Sequence, residues 1–401
     1  MIRQDFPIFK KRSGSKSLVY FDNAASLQKP QAVISAVTSF YQNSYANIHR
    51  ALYPLAEEAT NLYENARQVV ASFISADSEE IIFTKGATES INLVARSWGE
   101  SNLRRGDRVV ISWAEHHANI VPWLQLKEKI GIRLEYIDLR SDGSIDMKSA
   151  LVKLSLPRVK LMSVTQVSNV LGIINPVDKL ISLAKSKQII TLVDASQSIG
   201  HFPIDVKKLA CDFLVFSGHK LGGPTGIGVL YGRKNILDKL PPFLGGGDMI
   251  ESVRYNGYTP AQVPRKFEAG TPPISGAIGL AAACKYINHI GWKKISKIEK
   301  ELTEKFFEGL VSHSYIRLLG NNKDKLPIFS LIIDNVHPHD AADWLGQEGI
   351  ALRAGFHCAQ PLHKYYNISA TLRASLSFYN SKSEIDYFFK KIAALHKYFT
   401  K

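Results

Sequence analysis

The sequence predicts an α/β fold in which a mainly parallel sheet is covered by helices on both faces and is followed by a smaller α+β domain. Two observations support this prediction. Short, almost wholly apolar runs alternate with helix-like stretches through the middle of the chain, and long amphipathic stretches dominate from about residue 280. Strands that are apolar along their whole length are typical of parallel sheets buried on both faces. In such folds the functional residues gather at the carboxyl ends of the strands.

Seven apolar, β-branched runs are candidates for the strands of this sheet. They are residues 81–83, 109–112, 134–137, 159–164, 189–193, 214–216 and 228–231. Helix candidates lie between most of them, such as residues 90–97, 122–130 and 177–187. This alternation indicates strands joined by crossover helices.

The pattern changes in the last third of the chain. It predicts helices at residues 278–287 and 295–312, a strand at 328–333, a helix near 339–348 and a final helix from residue 383. We expect a large domain of residues 15–280 and a small α+β domain formed by residues 1–14 and 281–401. The boundary between them falls in a long helix.

Composition narrows the class of protein. The chain has 401 residues, of which 45% are hydrophobic and 21% charged, as in ordinary globular proteins of more than one domain. It has no apolar window of ~20 residues and its start lacks a secretory signal, so we expect a cytoplasmic protein without membrane association. The net charge of +14 arises from scattered basic residues. We therefore expect no nucleic-acid binding, and attraction of an anionic cofactor or an acidic protein instead.

The three cysteines are widely spaced and none belongs to a C-x-x-C pair, which argues against a zinc site or a disulfide framework. Cys211 and Cys284 lie next to or within apolar stretches and are expected to be buried. Cys358 stands close to Arg353 and His357, and nearby positive charge favours the nucleophilic thiolate. The sequence therefore makes Cys358 a candidate nucleophile, with a structural cysteine as the alternative.

Two polar residues follow neighbouring apolar strands. Asp194 ends the run at 189–193, and Lys220 follows the run at 214–216 among glycines. A buried lysine loses proton affinity, which suits Schiff-base chemistry, and a carboxylate can keep a pyridinium nitrogen protonated. Taken singly, Asp194 could be a helix cap and Lys220 could be a phosphate-binding lysine, although the G-x-x-x-x-G-K-[ST] pattern is absent. Together they predict a pyridoxal-phosphate site.

Residues 84–88 bring a glycine and Thr88 to the start of a helix, which is a ready site for a cofactor phosphate. Ser217 and His219 could add donors, and a capped helix with nothing bound is the alternative.

His116 and His117 have no third ligand at a suitable spacing, so we expect no metal. An imidazole stacked on a planar cofactor fits His116 better.

Arg353 and Arg373 complete the candidate set. A pair of arginines can hold a substrate carboxylate through parallel hydrogen bonds. Both are near Cys358 in the sequence, so a carboxylate and a nucleophile are expected in one place.

With these motifs in place, the sequence resembles the cysteine desulfurases of the class-V aminotransferase group. The resemblance rests on residues 20–25, 47–50, 115–123, 167–172, 194–197, 217–228, 268–272, 353–362 and 371–375. The short Arg-x-Gly-x-His-Cys-Ala segment around Cys358 is typical of group II, the SufS and CsdA branch. Its continuation, Gln-Pro-Leu, favours the CsdA type, the cysteine sulfinate desulfinases. Phe356 departs from SufS-like sequences, which often have histidine there.

The resemblance implies a pyridoxal-phosphate-dependent transferase of fold type I, with a seven-stranded sheet in the large domain. Lys220 would carry the cofactor and then transfer protons, His116 would stack on its ring, and Cys358 would take the sulfur. The other implied cofactor contacts are Asp194 to the pyridine nitrogen, Gln197 to the phenolic oxygen, and Thr88, Ser217, His219 and Thr271. The implied substrate contacts are Asn169, Arg353, Arg373 and His49. His49 and Thr271 would come from the neighbouring subunit of a homodimer.

The implied reaction converts L-cysteine to L-alanine and leaves a persulfide on Cys358, which supplies sulfur for iron–sulfur clusters or related transfer. Cysteine sulfinate and selenocysteine are further implied substrates, and a SufE-like protein is the implied sulfur acceptor. An aminotransferase or lyase of the same fold, in which Cys358 is incidental, remains the alternative.

Overall fold

The computed structural model of the chain describes residues 2–13 and 16–400. Its strands are β1 (Arg12–Ser13), β2 (Lys16–Ser17), β3 (Val19–Tyr20), β4 (Ile81–Thr84), β5 (Arg108–Ser112), β6 (Arg133–Ile137), β7 (Val159–Thr165), β8 (Ile190–Asp194), β9 (Phe213–Ser217), β10 (Gly228–Gly232), β11 (Ile250–Arg254), β12 (Gly257–Pro260), β13 (Ile316–Leu319), β14 (Ile328–Ile333), β15 (Ile350–Ala351), β16 (Arg353–Gly355) and β17 (Thr371–Ser375). Its α-helices are α1 (Gln31–Asn43), α2 (Pro54–Phe73), α3 (Ala87–Leu93), α4 (Glu100–Asn102), α5 (Val121–Ile130), α6 (Met147–Leu154), α7 (Val177–Lys185), α8 (Val206–Leu209), α9 (Lys234–Leu237), α10 (Ile274–Ile290), α11 (Trp292–Val311), α12 (Pro338–Gln347), α13 (Gln360–Tyr365) and α14 (Lys382–Phe399).

The main sheet of the described residues has seven strands in the order β4-β10-β9-β8-β7-β5-β6. The five strands from β9 to β6 are parallel, whereas β10 runs antiparallel to both β9 and β4. The connection from β9 to β10 is too short for a crossover helix, which explains the reversal. All seven predicted runs form these strands, so the mainly parallel sheet is confirmed.

Each strand of the main sheet packs on both faces, as its apolar sequence predicts. Val193 and Phe216 belong to one hydrophobic cluster, while their neighbours Leu192 and Val215 belong to another. Successive side chains of a strand point to opposite faces, so the two clusters lie on opposite sides of the sheet. This burial leaves the loops at the strand ends as the place for polar, functional side chains.

A second sheet, β13-β14-β17-β16, is antiparallel and completes the predicted α+β part. Its core includes a stacked pair, Phe306 of α11 on Phe329 of β14, with ring centroids 3.9 Å apart. The sequence predicted only β14 of these strands. An N-terminal segment runs beside this sheet: Phe21 donates from its amide to Ala351 O at 2.9 Å and accepts from the Ser375 amide at 2.7 Å.

Helix α10 spans residue 280 without a break and packs against α1 and α2. The predicted division into domains at residue 280 thus lies inside a continuous helix and stays a prediction. The other predicted boundary, between residues 14 and 15, lies outside the described residues. None of the helices among residues 2–13 and 16–400 is long and apolar enough to cross a bilayer.

Candidate active site

A cavity of about 180 Å³ opens at the carboxyl ends of the main strands, between the large and the small sheet. Its walls include most of the residues predicted for the site: Thr88, His116, Asn169, Asp194, Ser217, His219, Lys220, Arg353, Cys358 and Arg373. The fold therefore brings together side chains that are far apart in the sequence.

Lys220 ends a short 3-10 turn, Gly218–Lys220, directly after β9. Burial lowers the pKa of its amine to about 8, and the carboxylate of Asp194 partly opposes this shift. The turn needs glycine at its start, because a Cβ on Gly218 would lie 2.9 Å from Ile227 Cγ2. A fraction of the amine is neutral near pH 7, as Schiff-base formation requires.

Asp194 ends β8, the strand that pairs in parallel with β9. Its side chain is buried, and its Oδ1 accepts a hydrogen bond from the Ser196 amide at 2.9 Å. A carboxylate and a lysine thus follow adjacent strands in one cavity, as the sequence predicts. This donor set fits pyridoxal phosphate, which needs an amine at its aldehyde and an anion at its pyridinium nitrogen.

Hydroxyl groups collect where β4 leads into α3. Ser217 Oγ accepts a hydrogen bond from the Ala87 amide at 2.9 Å, and Thr88 lines the cavity at the start of α3. Here β10 touches the loop, since a Cβ on Gly228 would lie 2.4 Å from Gly86 Cα. Hydroxyl donors at the start of a helix suit a phosphate group.

His116 is held neutral in the cavity wall. Its Nδ1 accepts from the Ala118 amide at 3.1 Å, so the ring proton sits on Nε2. Burial lowers the pKa of His116 to about 3, and the positive charge of Lys220 adds to this shift. Behind it, burial raises the pKa of the Glu115 carboxyl to about 7, although Asn119 donates to it at 2.7 Å. The sequence analysis assigned no role to Glu115.

Cys358 lies in a tight turn after β16. The backbone enters left-handed conformations at Gly355, His357 and Cys358, with φ of 115°, 51° and 56°. The His117 amide donates to Cys358 O at 2.7 Å, and Asn169 Nδ2 donates to His357 O at 2.6 Å. Cys358 is exposed whereas the other two cysteines of the chain are buried, as expected. The thiol is therefore accessible on a short, firmly held backbone.

Three side chains under this turn form a hydrogen-bond chain. His363 Nδ1 lies 3.0 Å from Ala359 O, a pure acceptor, so this nitrogen carries a proton. Burial lowers the pKa of both His357 and His363, which keeps them neutral. Thr371 Oγ1 therefore donates to His363 Nε2 at 3.1 Å and accepts from His357 Nε2 at 2.9 Å. His357 Nδ1 is left as a buried acceptor without a partner among the described residues.

The two arginines of the site meet at a residue that the sequence analysis passed over. Asp22 accepts from Arg373 at 3.0 Å and from Arg353 at 3.1 Å. Burial lowers the pKa of Arg373, and Asp22 opposes this shift. The only sequence signal for Asp22 was its place in the motif of residues 20–25.

Three predicted residues lie outside the cavity wall. Gln197 is buried and donates from Nε2 to Ala24 O at 2.7 Å. Thr271 lines a separate cavity of about 170 Å³ together with Asp248. His49 lies beside that second cavity, where Glu64 at 2.9 Å and Asp248 at 3.1 Å raise its pKa. Within the described chain the structure does not bring His49 and Thr271 to Lys220.

Among residues 2–13 and 16–400, no group of three or more histidines, cysteines or carboxylates is placed so that it could hold a metal ion.

Comparison with known proteins gives consistent results. The chain matches the aminotransferase class-V family over residues 19–388. It is 44% identical to a probable cysteine desulfurase of Synechocystis, over 100% of this chain and 96% of that one, and 43% identical to a cysteine desulfurase of Escherichia coli O127:H6, over 99% and 98%. Among solved structures it superposes on the apo cysteine desulfurase of Thermococcus onnurineus with a TM-score of 0.94, 42% identity and coverage of 99% and 97%. It also superposes on the cysteine desulfurase CsdA of Escherichia coli with a TM-score of 0.91 and 37% identity, over 99% of this chain and 98% of that one.

Proposed function

The chain belongs to the class-V aminotransferase family, and from this premise we propose that it is a pyridoxal-phosphate-dependent cysteine desulfurase. It converts L-cysteine to L-alanine and leaves the sulfur on Cys358. One observation carries the proposal: an exposed thiol, Cys358, shares a single cavity with the partly buried Lys220, the buried Asp194 and Arg373. The similarity to cysteine desulfurases over the whole chain supports it.

The residues present would hold the cofactor as follows. Lys220 would bear it, Asp194 would pair with its pyridine nitrogen, and His116 would stack on its ring. Its phosphate and phenolic oxygen would be held by Thr88, Ser217 and His219, with Gln197 and the partner subunit's Thr271. Pyridoxal phosphate, when bound, supplies an electron sink for negative charge at the substrate's Cα.

The side chains around the cofactor then divide the work on the substrate. Arg373 holds the substrate carboxylate beside Asn169, and the Lys220 amine removes the proton from Cα. Cys358 attacks the substrate sulfur as a thiolate, so that a sulfur–sulfur bond forms as the Cβ–sulfur bond breaks. The electron pair of the broken bond stays with Cβ, which takes up a proton, and Lys220 returns a proton to Cα as alanine forms. The proton lost by Cys358 balances the uptake at Cβ.

The short turn of Cys358 supports a group II enzyme of the SufS and CsdA branch, and the continuation Gln360-Pro361-Leu362 favours the CsdA type. Because the His117 amide fixes the Cys358 carbonyl, the thiol has little reach of its own. A SufE-like acceptor that enters the cavity mouth suits such a tether, and it would pass the sulfur on to iron–sulfur clusters or related pathways. We expect slow turnover alone and faster turnover with the acceptor.

A homodimer is part of the proposal. In a dimer, His49 and Thr271 could reach the partner's cavity, which they do not reach in their own chain. Exposed apolar side chains on α1 and α2 and in the loop between them support an interface there: Tyr41, Tyr45, Leu52, Tyr53 and Leu55. The three cysteines are free, which suits the reducing cytoplasm.

The decisive test compares the wild type with Cys358→Ala on L-cysteine, cysteine sulfinate and selenocysteine, with alanine as the measured product. We expect Cys358→Ala to lose activity with cysteine. Activity with the other two substrates falls less, because their leaving fragments depart more readily. Cys211→Ala, at a buried thiol, serves as the control and keeps cysteine activity. Unchanged cysteine activity in Cys358→Ala would favour an aminotransferase or lyase with an incidental thiol.

A further inference from the structure

The Asp22 carboxylate lies between the two arginines of the cavity. Its Oδ1 accepts from Arg373 Nη2 at 3.0 Å. Its Oδ2 accepts from Arg353 Nη2 at 3.1 Å and from Arg353 Nε at 3.2 Å. One carboxylate thus binds two guanidinium groups that belong to two different strands.

The register between β16 and β17 places two positive charges opposite each other, and a carboxylate between them is stabilising. Arg353 of β16 stands directly opposite Arg373 of β17, and like charges at opposed positions destabilise a sheet. Water reaches only one member of this pair, because 47% of the Arg353 side chain is exposed but only 2% of the Arg373 side chain. A shared carboxylate offsets the repulsion and satisfies both guanidinium groups.

The hydrogen bond between Asp22 and Arg373 orients the arginine that meets the substrate. Arg373 donates from Nη2 to Asp22 and from Nη1 to Asn169 O, each at 3.0 Å. Its Nε is buried and has no partner among the described residues. A guanidinium carries five N–H groups, so each fixed η nitrogen keeps a second N–H, and Arg373 lines the cavity in which the substrate carboxylate would bind.

The hydrogen bonds between Asp22 and Arg353 hold the strand that leads to the nucleophile. Arg353 begins β16, which enters the turn of Cys358. Within the described part of the chain, its side chain hydrogen-bonds to Asp22 alone. Asp22 is fixed in turn by its backbone, whose carbonyl accepts from the Ala25 amide at 3.1 Å.

We propose that Asp22 is a positioning residue that couples the substrate-carboxylate contact of Arg373 to the placement of the Cys358 turn. The proposal rests on the desulfurase function and deepens it. The substrate sulfur must lie within reach of the Cys358 thiol while its carboxylate is on Arg373, and small misplacements of reacting groups slow catalysis strongly. A single carboxylate bound to both sides keeps that separation constant.

The first test measures steady-state kinetics with L-cysteine for Asp22→Asn and Asp22→Glu. Loss of a charge-assisted hydrogen bond to Arg373 should raise the KM of Asp22→Asn about tenfold, and Asp22→Glu should recover part of it. The matched control is Asp107→Asn, a buried aspartate bound to Arg158 at the opposite end of the sheet. Wild-type KM in Asp22→Asn, or an equal rise in Asp107→Asn, would overturn the proposal.

The second test needs no turnover. Amide hydrogen exchange of residues 353–358 is compared in substrate-free, cofactor-free wild type, Asp22→Asn, Arg353→Gln and Asp107→Asn. We expect faster exchange in Asp22→Asn and Arg353→Gln and wild-type exchange in Asp107→Asn. If Asp22→Asn does not fold, Arg353→Gln decides the outcome, and wild-type exchange there rejects the coupling. A wild type that forms no alanine from cysteine would instead refute the desulfurase function, and this test would still judge Asp22.

Discussion

The two ends of the cavity are built in opposite ways. At one end Lys220 follows a strand of the large sheet, and its reactivity comes from burial, which lowers its pKa to about 8. At the other end Cys358 stands exposed in a left-handed turn of the small sheet, held by backbone hydrogen bonds. The difference follows from the chemistry. An amine that must lose its proton gains from desolvation, whereas a thiol that hands sulfur to an acceptor protein, as we propose for Cys358, must be reachable.

The largest expected effect is at the buried end. In the proposed mechanism Lys220→Ala removes both the cofactor linkage and the proton-transfer group, so alanine formation from cysteine should fall by about 10²–10⁴-fold. The loss of the cofactor's visible absorbance after dialysis checks the linkage separately. Lys148→Ala, at an exposed position, is the control. A Lys220→Ala protein that keeps both properties would remove Lys220 from the account.

Burial of Lys220 should also lower the stability of the cofactor-free protein. Its pKa is about 8 when folded and 10.5 in the unfolded chain, so the unfolded state binds more protons between these values. The penalty is fully present below pH 8 and disappears as the pH rises towards 10.5. It amounts to at most about 3 kcal/mol, because the cavity admits some water. Lys220→Met should therefore be more stable than the wild type at pH 7.

Urea unfolding at pH 7 and pH 10 measures this effect. The advantage of Lys220→Met should shrink at pH 10, while the exposed control Lys148→Met shows no such change. Equal stabilities of Lys220→Met and the wild type at pH 7 would show that desolvation does not set the properties of the amine.

The same contrast explains what the sequence could predict. Lys220 and Asp194 were predictable because Asp194 ends one apolar strand and Lys220 closely follows the next, and parallel topology gathers strand ends at one edge. The reversal of β10 follows from a loop length that the prediction did not weigh. The strands β16 and β17 lack an apolar alternation that marks them, since Arg353, Gly355 and Arg373 interrupt it. Asp22 meets its two arginines only through tertiary structure, more than 300 residues along the chain.

A smaller effect is expected at the hydrogen-bond chain beneath Cys358. Thr371→Val removes the hydroxyl that links His357 and His363 and leaves buried groups unpaired, at a cost of about 1–3 kcal/mol. Thr371→Ser keeps the hydroxyl and should lose less. The free energy of unfolding and the alkylation rate of Cys358 measure the change. If valine and serine behave alike, packing rather than the hydroxyl holds the turn.

The smallest effect is expected at Phe356, where SufS-like sequences often have histidine. Its side chain is 40% exposed and contacts His363 edge-on, with ring centroids 5.6 Å apart. Substitutions at such surface positions change stability by about 0.5 kcal/mol or less. Phe356→His should therefore alter alanine formation less than about twofold. A large gain would reveal a polar role at this position that the turn now lacks.

The most direct test of the account is to find where the sulfur goes. The protein with its cofactor is mixed with L-cysteine without an acceptor, alkylated, digested and analysed by mass spectrometry. We predict one additional sulfur atom on the peptide that contains Cys358, and none on the peptides with the buried Cys211 and Cys284. Alanine formed with no sulfur on Cys358 would contradict the account.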